Sequence, residues 1–202
     1  MAPEVLVFDI GNVLIHWDPH LAYLDLIPNF DTRTVFFRDV LPPEWNIEQD
    51  RGRSWTEAET ERIALFPDKA DLIRAFRANW LASVPHAIEH NLRVLEAARR
   101  AGLPNYAITN FAADTFIEAQ QRFPFLAGFD GIVISAQERL IKPDPAIFAV
   151  FLRRYGLKAQ QCLFMDDSAK NIASAKNIGF ATIHVTEKTD LLSEVRSFGF
   201  AL

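Results

Sequence analysis

A single cysteine, Cys162, stands among 202 residues, so no disulfide can form within the chain, and a reducing compartment such as the cytoplasm is expected. No apolar run approaches the roughly 20 residues that cross a bilayer, and the first residues lack the basic segment plus apolar stretch of a secretion signal. No membrane partner is expected. Acidic residues outnumber basic ones, 26 to 21, and no basic run extends beyond Arg99-Arg100 and Arg153-Arg154. With a formal net charge of -5 the chain has no general attraction for phosphate backbones, which argues against nucleic acid as a partner. Repeats, low-complexity tracts and flexible linkers are also missing. What remains is a half-hydrophobic chain of a length that suits one core with a small inserted lobe.

Five short apolar runs recur: VLVFD at 5–9, YAIT at 106–109, GIVIS at 131–135, CLFMD at 162–166 and ATIHV at 181–185. Their length and β-branched content read as buried strands. Amphipathic segments separate the later runs. AIEHNLRVLEAARRAG ends at Gly102, DPAIFAVFLRRYG has Asp144 as N-cap, Pro145 in its first turn and Gly156 as its stop, and another segment runs from Ser168 to Gly179. Strand and helix alternating from about residue 87 predict an α/β fold, a doubly wound parallel sheet with its site at the carboxyl ends of the strands. Asp9, Thr109, Asn110, Asp166 and Asp167 fall at such ends. Residues 15–86 offer helical patterns and no strand, including SWTEAETERIALF with a capping box of Ser54 and Glu57. The expected division is a core of residues 1–14 plus 87–202 and a helical cap of residues 15–86.

Four motifs in one order carry the chemistry: FDIGNVL, ITN at 108–110, Lys142 in LIKPDPAIF, and FMDDSAKNI at 164–172. Together they resemble the haloacid dehalogenase-like hydrolase superfamily, with a small helical cap after the first motif, over nearly the whole chain. The resemblance implies that Asp9 is a nucleophile forming a covalent ester that water later opens. A lone Asp after a strand would otherwise be a turn or capping residue. Asp166 and Asp167 are adjacent acids that would repel Asp9 unless a cation neutralised them. The resemblance implies that Asp9, the Gly11 carbonyl and the acidic pair bind Mg²⁺, directly or through water. Lys142 and Thr109 would contact the transferred group's oxygens. Asn110 would donate to the nucleophile or substrate, and Asn171 would brace the helix after the acidic pair. In the cap, EQDRGRSW at 48–55 resembles the stretch facing the catalytic Asp, which makes Asp50, Arg51 and Arg53 candidate substrate contacts, with Trp17 beside them in the set.

Many phosphatases of this superfamily have an Asp two residues after the nucleophile, to protonate the leaving oxygen and then activate water. Here that residue is Gly11. The expected activity is Mg²⁺-dependent hydrolysis of a small phosphorylated metabolite, a sugar phosphate among the candidates, through an aspartyl-phosphate. A dehalogenase, whose departing halide needs no proton, and a binding or regulatory member with little turnover are the alternatives. The paired acids of the fourth motif favour the phosphatase. Without a substitute acid the protein should prefer phosphates with good leaving groups; insensitivity to the leaving group would point to another proton donor, such as His16 or Asp50.

Overall fold

Runs of four or five mostly apolar residues form a five-stranded parallel sheet in the computed structural model, which describes residues 2–202. The strands are β1 (Val5–Phe8), β2 (Asn105–Thr109), β3 (Gly131–Ile134), β4 (Cys162–Asp166) and β5 (Ala181–His184), in the order β3-β2-β1-β4-β5. All five apolar runs are therefore strands. Side chains alternate across each strand, and both faces are covered, as a parallel sheet requires. Leu6, Phe8, Leu163 and Met165 pack on one face with Val94, Leu95, Leu191 and Val195. Val5, Val7, Cys162 and Phe164 pack on the other with Ile147, Phe148 and Phe151.

Between β1 and β2 the chain is helical: α1 (Phe30–Asp39), α2 (Pro43–Asp50), α3 (Trp55–Leu65) and α4 (Ala70–Ala78) follow one another, with 3-10 turns before α1, between α3 and α4, and after α4. They enclose their own aromatic core around Tyr23, Phe36, Phe37, Trp45 and Phe76. The predicted capping box is present, with the Ser54 side chain accepting from the Glu57 amide and Glu57 accepting from the Ser54 amide. The helical segment leaves and rejoins the sheet through two adjacent stretches. The His16 amide donates to the His86 carbonyl at 3.0 Å, the Asp18 amide to the Ser83 carbonyl at 2.9 Å, and the His16 and His86 rings stack.

The remaining helices are α5 (Glu89–Arg100), α6 (Ala113–Arg122), α7 (Ser135–Glu138), α8 (Pro145–Tyr155), α9 (Ala169–Ile178) and α10 (Leu191–Ser197). In α8, Asp144 accepts from the Ala146 amide and Gly156 ends the helix at φ +65°, in the left-handed region glycine tolerates. Among the described residues no helix is long and apolar enough to cross a membrane. The strand order reverses between β1 and β4, and a crevice at such a switch point is where α/β sheets bind ligands. Asp9 directly follows β1 and Asp166 ends β4, the two strands that flank it.

Candidate active site

Asp9 is fixed by the strand before it and the turn after it. Its amide donates to the Met165 carbonyl of β4 at 2.8 Å, and its Oδ1 accepts from the Ile10 amide at 2.7 Å. The chain then turns tightly, with the Ile10 carbonyl accepting from Leu14 at 2.8 Å and Ile15 at 3.0 Å. Asn12 supports this turn in the left-handed region at φ +54°, a conformation asparagine adopts more readily than most residues. Its Oδ1 accepts from the Trp17 amide at 2.9 Å, and its side chain also hydrogen-bonds Asp167. Gly11 itself has no positive φ, and a Cβ added there would meet nothing within 4 Å. The backbone therefore does not demand glycine at this position, and a side chain there would find space.

Lys142, with a fully buried side chain, lies between two carboxylates: Nζ is 2.8 Å from Asp9 Oδ1 and 2.7 Å from Asp166 Oδ2. Burial opposes the ammonium charge, but attraction from Asp166 and Asp9 outweighs it and raises the Lys142 pKa. Asn110 holds the lysine's backbone, accepting from the Lys142 amide at 2.8 Å and donating to the Lys142 carbonyl at 3.0 Å. The Asn110 oxygen and one of its two N–H donors are thus engaged in positioning Lys142. Asp166 accepts from Lys142, the Ser168 amide and Asn171 Nδ2. It is therefore tied to the residue that precedes α9 as well as facing the site, and Asn171 braces it. Thr109 Oγ1 is buried without a hydrogen-bond partner, which suits a hydroxyl waiting for a ligand oxygen.

Asp9, Asp166 and Asp167 each offer a carboxylate oxygen within 4.8 Å of the others. Burial pushes the Asp9 carboxyl up to about 7, Lys142 pulls the other way, and Asp166 and Asp167 add repulsion. Asp167 is raised too, by burial first and then by Asp166. Three crowded acids with one lysine form a site short of positive charge, and all-oxygen donors fit a hard divalent cation. A carboxyl raised by folding holds more protons folded than unfolded, so metal-free stability should fall as pH rises from about 4 to about 7. A bound cation would cancel that loss. Mg²⁺ is therefore expected to raise the melting temperature more at pH 7.5 than at pH 5, and equal shifts in a thermal melt would contradict this origin of the Asp9 perturbation.

A cavity of about 70 Å³ lies where the helical segment after β1 meets the sheet and its helices, and its wall includes Gly11, Trp17, Asp50, Trp55, Trp80 and Asn110. Of the cap candidates, Asp50 and Trp17 border it, whereas Arg51 and Arg53 do not. Arg53 is turned into the cap, donating to Gln49, Glu61 and the Trp45 carbonyl, and Arg51 pairs with Glu48 at 3.5 Å near the surface. Trp55, Trp80 and Phe111, none of them singled out from the sequence, also line the cavity. Ser135, at the end of the GIVIS run, was also missed: its Oγ accepts from the Phe111 amide at 2.8 Å and donates to the Asp50 carbonyl at 2.5 Å, joining core to cap. Only its place at a strand end could have drawn attention to it.

A family model described as haloacid dehalogenase-like hydrolase matches residues 42–185. A sesquiterpene phosphatase of Aspergillus oryzae is 26% identical over 199 residues, covering 96% of this chain and 95% of that protein. Among solved structures, a HAD family enzyme of Bacteroides thetaiotaomicron in complex with magnesium and inorganic phosphate superposes with a TM-score of 0.74 at 20% identity, covering 95% and 98% of the two chains. An L-2-haloacid dehalogenase of Xanthobacter autotrophicus superposes with a TM-score of 0.63 at 18% identity, covering 96% and 83%.

Proposed function

The chain belongs to the haloacid dehalogenase-like hydrolase family, and from that premise we propose that it is a Mg²⁺-dependent phosphomonoester hydrolase acting through an aspartyl-phosphate on Asp9. The observation that carries this reading is the cluster of Asp9, Asp166 and Asp167 with Lys142 between two of its members. A halide leaving from carbon calls for no such concentration of acids. A phosphoryl group brings its own negative charge, which this site can accept only with a cation bound. The relative from Aspergillus oryzae and the magnesium and phosphate complex from Bacteroides thetaiotaomicron support the same reading.

In this account Asp9 attacks phosphorus in line with the leaving oxygen, and water later opens the acyl phosphate. Asp9, Asp167 and Asp166 would hold Mg²⁺, which when bound would supply positive charge for the phosphoryl oxygens and for Asp9 beside Asp167. Asp167 is the more available of the paired acids, since Asp166 already accepts from Lys142, Ser168 and Asn171. Lys142 holds Asp9 and bears on the transferred group, while Asn110 keeps Lys142 in place. The unpartnered Thr109 hydroxyl donates to a phosphoryl oxygen. Residues 15–86 act as the cap, with Asp50 and Trp17 as its contacts toward substrate. The substrate is a small phosphorylated molecule, and its alcohol portion meets a largely aromatic wall.

Phosphate release from a panel of phosphomonoesters, with and without Mg²⁺ and beside 2-haloacids, tests the reading. Metal-dependent release from at least one ester is expected. Halide release without metal and no phosphate from any ester would replace it with dehalogenation. Asp167→Ala is expected to raise the Mg²⁺ concentration giving half-maximal rate by about tenfold or more, the scale at which losing one charged contact is felt. Excess metal should recover much of the rate, and an unchanged Mg²⁺ dependence would remove Asp167 from the ligand set.

A further inference from the structure

An alkoxide is a poor leaving group, so hydrolysis of an ordinary phosphate ester gains from a positioned acid. The turn after Asp9 offers none, because Gly11 carries no side chain. A Cβ added at Gly11 would meet nothing within 4 Å, and Gly11 borders the cavity between cap and core. Around that cavity stand Ile15, Trp17, Trp55, Trp80, Val84 and Phe111, all apolar or aromatic. Among the described residues its wall holds one ionisable side chain, Asp50.

Three contacts bring Asp50 there. It is the last residue of α2, so the cap carries it. Its carbonyl accepts from Ser135 Oγ of the core at 2.5 Å. Its carboxyl lies among wall residues, accepting from the Ala112 amide and standing 3.5 Å from Asn46 Nδ2. Gly52 strengthens the same junction: at φ +98° its α-carbon passes so near α7 that a Cβ would lie 2.8 Å from the Ala136 carbonyl oxygen. His16, the other candidate proton donor, does not border this cavity. It lines a separate, more open cleft with Asp18, His90 and Asp167.

Resting on the phosphatase reading, we propose that Asp50, carried in by the cap, is the general acid and base that the turn after Asp9 lacks. As Asp9 Oδ attacks phosphorus, the bond from phosphorus to the ester oxygen breaks, and the Asp50 proton passes to that oxygen to give a neutral alcohol. The Asp50 carboxylate then takes a proton from water. The resulting hydroxide attacks phosphorus, the bond from phosphorus to Asp9 breaks, and Asp9 returns as a carboxylate beside a reprotonated Asp50. The Asp50 carboxyl suits both duties, since burial raises it to about 7, opposed only by the Ala112 amide, and no charged neighbour contributes.

The experiment compares the parent with Asp50→Asn in Mg²⁺, by rapid mixing with p-nitrophenyl phosphate and with an alkyl phosphate. A nitrophenolate needs no proton to leave, but opening of the acyl phosphate still needs the base. Asp50→Asn should therefore give a burst of one nitrophenolate per active site near the parental rate, then a steady state about 10²- to 10⁴-fold slower. On the alkyl phosphate there should be no burst, and a loss in the first step of the same order. Gly11→Asp added to Asp50→Asn should restore turnover on both, since the space at Gly11 admits a side chain. Equal losses on both esters with no burst would show that Asp50 only holds the cap, and an unaltered rate would remove it from the reaction; either outcome overturns the proposal. If the parent releases phosphate from neither ester nor from an acyl phosphate, the phosphatase reading falls first and the proposal with it. The burst from Asp50→Asn also reports folding, because an unfolded variant yields none, and circular dichroism distinguishes that case; Asp50→Glu, which keeps the carboxyl, then serves as the second variant and should retain turnover if the proposal holds.

Discussion

Asp9→Asn is expected to lower turnover by roughly 10⁴- to 10⁶-fold, the scale on which losing a nucleophile is felt, while the protein stays folded. The amide preserves shape and still accepts from the Ile10 amide through its oxygen, as Asp9 Oδ1 does at 2.7 Å. It has no anionic oxygen to form an ester. The substitution also removes a carboxyl that burial and its acidic neighbours push up to about 7, so metal-free stability at neutral pH should not suffer. Single-turnover phosphate release and far-ultraviolet circular dichroism check the two halves. Substantial turnover from a purified, folded variant would remove Asp9 as nucleophile.

Lys142→Met is expected to fail differently, in stability as well as rate. The side chain is fully buried and lies within 2.8 Å of Asp9 and 2.7 Å of Asp166. Removing it leaves two buried carboxyls without their cation, and breaking a buried pair costs about 3–5 kcal/mol. Asp9, whose carboxyl burial already pushes up to about 7, can escape the penalty by taking up a proton. The destabilisation should therefore be largest above neutral pH and shrink as pH falls, and Mg²⁺ should offset part of it. Urea midpoints at pH 5 and pH 8, with and without Mg²⁺, measure this. A variant as stable as the parent at pH 8 without metal would show that Lys142 does not hold the acids together.

The core of the fold was legible because its signals are local. A fully buried parallel strand is a short apolar run, and α8 is punctuated at both ends by Asp144, Pro145 and Gly156. Helix α6 was not singled out because Ala112 stands at its N-cap with no side-chain bond, so nothing in the string marks where it starts. The site was legible where strand ends converge, since the parallel register aligns Phe8 with Met165 and Ala107, bringing the residues that follow to one edge. What the string could not supply was direction. Arg53 beside Asp50 looks as available as any surface arginine, yet Gln49, Glu61 and the Trp45 carbonyl take its guanidinium. Asn110 reads as a donor toward substrate, and only the fold brings the Lys142 backbone to both ends of its amide. The aromatic wall was invisible for the same reason: a tryptophan in an aromatic cap looks like core until the cap is set against the sheet.

Phosphate binding, metal dependence and the covalent ester meet in one measurement. The protein is mixed with acetyl phosphate or p-nitrophenyl phosphate, quenched in acid during turnover, digested, and the peptide carrying Asp9 is weighed by mass spectrometry. The account predicts one phosphoryl group on Asp9 that appears only with Mg²⁺, disappears as substrate is exhausted, and is absent from Asp9→Asn. Phosphate release with no phosphoryl group on Asp9, or labelling that proceeds equally without metal, would contradict it.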